Sequence, residues 1–139
     1  MVNKVFLIGR VGRDPDIRVA PSGTVVANFS IATDRNRRDK DGNWQQETEW
    51  HRIVAFGRLG ETARDRIKKG RLVFIEGHIH YNSWEDKEGF KRYNTDIIAE
   101  RLRLLDKPSQ NEGYNNDAVQ PDTNVPPADT SVTDDDVPF

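Results

Sequence analysis

The chain has 139 residues, 32% of them charged and 35% hydrophobic, which is apolar material for one modest core. It contains no cysteine, which excludes a disulfide framework and cysteine-ligated zinc, and no apolar run approaches membrane-spanning length. Its formal charge of −2 is unevenly placed: residues 1–106 hold 20 Lys+Arg against 16 Asp+Glu, a net of +4, and residues 107–139 hold 1 against 7, a net of −6.

Val2 to Val11 reads as a strand, with Val5, Phe6, Leu7 and Ile8 as β-formers and Gly9 and Gly12 marking its end. Asp14-Pro15 and Pro21-Ser22-Gly23 are turn signals. Thr24 to Asp34 alternates as a second strand, with Val25, Ala27, Phe29 and Ile31 on one face. The polar stretch Arg35 to Asn43 contains Asp41-Gly42 as a hairpin turn. Glu47 to Phe56 is a third strand. Leu59 to Lys69 is helical, with Leu59, Ala63 and Ile67 on one stripe, Lys68 and Lys69 at its end and Gly70 as C-cap. Arg71 to Tyr81 and Phe90 to Leu105 complete five strands, separated by the charged loop Glu85 to Gly89.

After Asp106 the composition changes. Residues 107–133 lack apolar runs and include Pro108, Pro121, Pro126 and Pro127, so the segment cannot bury enough surface to offset its ordering entropy and reads as a disordered linker. The last six residues, Asp134, Asp135, Asp136, Val137, Pro138 and Phe139, put an aromatic ring behind three carboxylates. Such a peptide suits a pocket ringed by Lys and Arg, where the ring supplies buried area and the acids supply steering. Met1-Val2-Asn3-Lys4 has no signal-peptide layout, so a soluble, intracellular protein is expected.

Five strands with one helix between the third and fourth is the element order of an OB-fold, a Greek-key barrel, expected over residues 1–106. A β-sandwich is the alternative, but seven strands and no helix there would be its norm.

The third strand carries the chemistry. Trp50, Arg52, Val54 and Phe56 share one face, and His51, Ile53 and Ala55 the other. Periodicity alone does not say which face is inside. Arg52 decides it, because an inward Arg on a central strand would be an unpaired buried charge. Outward, two aromatics flanking an arginine form a platform on which bases of any sequence can stack. Trp84, beyond the fourth strand, and Trp44, in the long hairpin, have little core to enter. Arg35, Arg37, Arg38, Arg58, Lys68, Lys69 and Arg71 interleave with these rings. His78 and His80 share a strand face but lack an evident third ligand. Gly9-Arg10-Val11-Gly12 opens no helix and does not make a dinucleotide fingerprint. No catalytic residue, metal or cofactor is expected.

These segments resemble the bacterial single-stranded DNA-binding proteins of the homotetrameric type. The resemblance rests on Val2-Asn3-Lys4-Val5, Gly12-Arg13-Asp14-Pro15 with Arg18, Val26-Ala27-Asn28-Phe29, Thr48-Glu49-Trp50-His51-Arg52, Phe56-Gly57-Arg58-Leu59, Lys69-Gly70, Ile75-Glu76-Gly77 and Asp134 to Phe139. It implies that Trp50, Phe56 and Trp84 stack on bases and that Arg18, Arg52, Arg58 and Lys69 line the DNA path. It also implies that residues 134–139 recruit replication, recombination and repair enzymes, and that the N-terminal strand and His51 lie in subunit contacts of a tetramer. A cytoplasmic, nucleoid-associated, non-enzymatic protein follows. Arg37 stands where some relatives carry a further stacking Trp, so a contact there is expected to be electrostatic. Two other readings compete: an adaptor whose barrel binds protein or RNA, and a metal-dependent hydrolase using His78 and His80.

Overall fold

The computed structural model describes residues 1–107; the expected linker and acidic tip lie outside the described residues, Lys107 apart. The described residues form six strands and one helix: β1 (Val5–Val11), β2 (Asp16–Val19), β3 (Val25–Arg38), β4 (Trp44–Phe56), α1 (Arg58–Arg66), β5 (Leu72–Glu85) and β6 (Lys91–Leu104). They form one sheet in the order β1-β5-β6-β4-β3-β2, closed by pairing of β1 with β3 at Arg10↔Ala32 and Val11↔Ile31. Five long strands thus close a barrel, the OB-fold that the element order predicts. Its signature is the single parallel contact, β4 against β6 at Ile53↔Ile97 and Val54↔Ile98.

The alternation of Val25, Ala27, Phe29 and Ile31 buries all four, and Ala27, Phe29 and Ile31 meet Ile53, Ala55, Val73, Ile75, Ile97 and Ala99 in the core. Helix α1 plugs the barrel through Ala63, and the Gly57 amide at its start donates to the Val25 carbonyl at 2.8 Å. The helix is shorter than the 59–69 periodicity suggests. It stops at Arg66, and Ile67 is extended yet fully buried, its N–H donating to the Ala63 carbonyl. Ile67 is therefore a core anchor rather than a helical residue. Gly70 is not the C-cap; it takes its positive φ in the following turn, where its amide donates to the Val11 carbonyl at 2.7 Å. Lys68 and Lys69 consequently lie beyond the helix, and Arg64 and Arg66 face its C-terminal dipole instead.

Two further differences bear on the site. The short strand β2, which the turn signals around it obscure, pairs with β3 from Asp16↔Asn28 to Val19↔Val25. The β3–β4 and β5–β6 hairpins also run well past the barrel, so Trp84 sits within β5, not beyond it.

Asp106 fastens the end of β6. Its carboxylate accepts from the Leu72 amide at 3.0 Å and from Arg71 Nε at 2.7 Å. The Leu72 amide first, and then the Arg71 guanidinium, hold its pKa below the usual carboxylate value. A folded-state value below the unfolded one gives stability that is present above about pH 4 and lost as pH falls through the depressed value. Asp106→Asn is expected to lower the melting temperature near neutral pH by roughly 4–8 °C, for about 1 kcal/mol in a domain of this size. Variant and parent should converge as the pH falls from neutral through that depressed value. Thermal melts across that range check this, and a gap that does not narrow would assign Asp106 a role independent of its charge.

Candidate nucleic-acid interface

Strand β4 is unbroken in register against β3, from Val26↔Phe56 through Ala32↔Trp50 to Arg38↔Trp44. Side chains two apart therefore keep one face over its whole length. Ile53 and Ala55 point into the barrel, whereas Trp50 and Phe56 are 63% and 47% exposed on the outside. The face chosen by the charge on Arg52 is the observed one. Val54 shares that outer row but is buried, so it is a floor between the rings.

Trp50 is held by an absence. A Cβ added at Gly12 would lie 2.4 Å from Trp50 Cζ3 and 3.0 Å from Cη2, so the indole rests directly on that glycine's backbone. Beside the ring opens a cavity of about 520 Å³ walled by Arg13, Arg18 and Arg52 together with Asp16, Asn28 and Ser30. Arg18 reaches this wall because β2 lies alongside β3: Arg18↔Val26 continues across to Val26↔Phe56, which places the Arg and the Phe in one cross-strand row. Arg18 Nε also contacts the Asp16 carboxylate at 3.5 Å, both side chains being exposed.

Arg52 is not merely outward. Its Nε lies 3.2 Å from Asp96 Oδ1 on β6, and Asp96 is the one buried polar residue among those described. Asn82 Nδ2 on β5 donates to Asp96 Oδ2 at 2.7 Å, and Asn94 Nδ2 donates to Oδ1 at 3.1 Å. This carboxylate joins three strands and fixes the Arg52 stem while the rest of the guanidinium stays exposed. A half-exposed ion pair adds little by itself, but removing Arg52 would leave Asp96 buried with only amide partners. Asp96 was illegible in the sequence, where it reads as one more surface acid. Its signal is a polar residue immediately preceding the buried run of Ile97 and Ala99.

The Asp96 face continues outward along the second hairpin. Asn82↔Asn94 and Trp84↔Arg92 share the side of His80↔Asp96, so Trp84, 50% exposed, lies on the same surface as Arg52. Trp50, Phe56, Trp84, Arg18 and Arg52 are thus brought to one outer face. Arg58, exposed at the start of α1, follows directly on Phe56 and Gly57. Lys69 is exposed, and its amide donates to Asp14 Oδ1 at 2.7 Å, tying it to the loop that carries Arg13. Arg37 is placed differently: it pairs with Gln45, and with Arg35 and Glu47 it belongs to the opposite side of the hairpin from Trp50.

His78 Nδ1 is engaged by Glu100 Oε1 at 2.8 Å, and among the described residues no group of three or more His, Cys, Asp or Glu side chains could hold an ion. His51 Nε2 meets Thr33 Oγ1 at 2.8 Å on the side opposite Trp50. No helix among the described residues is long and apolar enough to cross a membrane.

The chain is similar to known proteins. Residues 2–105 match the model of the single-strand binding protein family. A single-stranded DNA-binding protein of Xanthomonas axonopodis pv. citri is 42% identical over 104 residues, covering 75% of this chain and 58% of that protein. One from Xylella fastidiosa (strain Temecula1) is 35% identical over 99% of this chain and 98% of its own length. Among solved structures, a Plasmodium falciparum SSB in complex with ssDNA aligns with a TM-score of 0.72 at 35% identity, covering 76% of this chain and 97% of that one.

Proposed function

The chain belongs to the single-strand binding protein family, as a bacterial member, and from that premise we propose how its surface handles DNA. The family is non-enzymatic, and single-stranded DNA is the ligand of this chain. The strand runs over the outer face of β4, with bases stacked on Trp50, Phe56 and Trp84 and phosphates met by Arg18, Arg52, Arg58 and Lys69. Arg37 meets a strand that crosses the hairpin edge. Stacking and charge together hold unpaired strands apart and block reannealing. The observation that carries this reading is an outward aromatic row on β4 beside an arginine-walled cavity.

A different part of the barrel, the β1 edge, bears on assembly. Among the described residues, β1 pairs with β5 from Val5 to Arg10 and with β3 only at Arg10 and Val11, Gly9 lying against the Ala32 backbone, so Val5 to Ile8 leave one backbone edge open. Phe6 and Ile8 are exposed beside it, framed by ion pairs of Lys4 with Glu76 and Glu100 and of Arg101 with Glu76. A homotetramer covers that edge and those side chains. The acidic residues 134–139 serve as the handle for replication, recombination and repair enzymes and compete with DNA for the basic body.

The test is tryptophan fluorescence during titration with poly-dT, RNA and duplex DNA, with a native mass to count subunits. Strong quenching by poly-dT alone and a fourfold subunit mass are expected. Quenching by RNA without quenching by poly-dT, or by none of the three, would favour the adaptor reading. Deleting residues 134–139 should raise DNA affinity at low salt and abolish binding of partner enzymes; no change in either would remove the tip from the mechanism.

A further inference from the structure

We infer that Trp44 and Arg38 form an additional base-stacking step, out along the β3–β4 hairpin and separate from the platform at Trp50. This rests on the DNA-binding reading above. The register from Phe56 to Trp44 has no bulge, so Trp44 lies on the same strand face as Trp50, Arg52 and Phe56. Six residues at about 3.3 Å each put it roughly 20 Å beyond Trp50, along the same row. Its ring is 68% exposed and enters no core. Arg38, its cross-strand partner, holds its guanidinium carbon 5.0 Å from the ring centroid. This cation–π contact settles the indole in one orientation and leaves exposed ring surface for a base, with a positive charge set beside it for the phosphate.

Of the acids on the two hairpin strands, Asp34 alone shares that side and keeps its charge there. Glu47 and Glu49 have the other parity, and Glu47 is paired with Arg35 at 2.7 Å. Asp34, on the Trp44 side, accepts from Thr48 Oγ1 at 2.7 Å. Asp39 at the turn accepts from the Asp41 and Asn43 amides and from Gln45 Nε2. Between the two tryptophans the row is Gln46 and Thr48, polar and uncharged. Arg37, on the opposite side, does not contribute to this step; Arg38 does.

The test uses the full chain with Trp50→Phe and Trp84→Phe, leaving Trp44 as the only tryptophan, titrated with poly-dT. Its emission should fall as the strand binds. In the otherwise unaltered chain, Trp44→Ala should weaken poly-dT binding about tenfold without changing the salt slope, Trp44→Phe should restore most of that affinity, and Arg38→Ala should reduce the slope by about 0.7. A silent Trp44 at saturation, with Trp44→Ala binding like the parent, overturns the inference. So does a change of native mass in Trp44→Ala with emission unaltered by DNA, which would place the ring in a protein contact. Failure of the unaltered chain to bind poly-dT would instead sink the DNA-binding reading itself.

Discussion

Trp50→Ala is expected to weaken binding to poly-dT by about thirtyfold and to remove much of the fluorescence quenching. A stacked base contributes about 1–3 kcal/mol by alanine substitution, which spans roughly fivefold to more than a hundredfold in affinity. Trp50 belongs toward the upper half of that range for a structural reason. Its indole is seated against the Gly12 backbone and flanked by the Arg-walled cavity, so little side-chain entropy remains to be lost when a base settles on it. The effect should be recognisable as stacking and not as charge. The slope of log affinity against log salt should be unchanged in Trp50→Ala, whereas Arg52→Ala should lower it by about 0.7 for the phosphate it releases. The melting temperature should separate the two variants in the other direction. Trp50 is largely exposed and its truncation opens no cavity in the core, but Arg52→Ala strips the ion-pair partner from buried Asp96. A salt slope that changed in Trp50→Ala, or affinity within twofold of the parent, would move the principal contact elsewhere.

The barrel was legible where one face of a strand is buried. Val25, Ala27, Phe29 and Ile31 must be inward together, and that requirement writes the alternation into the sequence. The same rule explains why the strands outrun the periodicity. In Asp34 to Arg38, Trp44 to Glu49 and Tyr81 to Glu85 the hairpins stand clear of the barrel, with neither face in the core, so pairing continues where hydrophobic periodicity has stopped. β2 was hidden for another reason. It is four residues long, lies between Pro15 and Pro21, and sends only Ile17 toward the core, too little for a pattern. The helical periodicity runs past the helix because Ile67 keeps the stripe of Leu59 and Ala63 while leaving helical geometry to reach the interior.

The rings and cations of the site were legible as residue types, because an exposed aromatic row is unusual on any strand. Their convergence was not. Arg18 reaches the Trp50 cavity only because β2 exists, and Trp84 shares the face of Arg52 only because β6 runs parallel beside β4 and passes its register on to β5. Asp96 joins Arg52, Asn82 and Asn94 from three strands, a relation no local pattern contains. Pairings across strands distant in sequence set the site, and a single sequence states only what is near in the chain.

Gly12 gives the sharpest test of how that site is held. Its backbone lies outside the positive-φ region, so alanine is conformationally acceptable there. Gly→Ala at such a position commonly stabilises by about 0.4–1 kcal/mol through the unfolded chain. The added methyl would meet Trp50 Cζ3 at 2.4 Å and Ser30 Oγ at 3.2 Å. Something must yield, and the exposed indole can swing away, whereas the paired strands behind it cannot. Gly12→Ala should therefore leave the melting temperature unchanged or slightly raised while weakening poly-dT binding about tenfold, since a displaced ring loses its stacking geometry. Stability and affinity moving in opposite senses is what a positioning residue produces and a damaged fold does not. The double-mutant cycle completes the argument. If Gly12 acts only through Trp50, adding Gly12→Ala to Trp50→Ala should cost nothing further, because no ring remains to be displaced. An equal loss in both backgrounds would show that Gly12 serves the strand directly, through its backbone, and that the indole is held by something else.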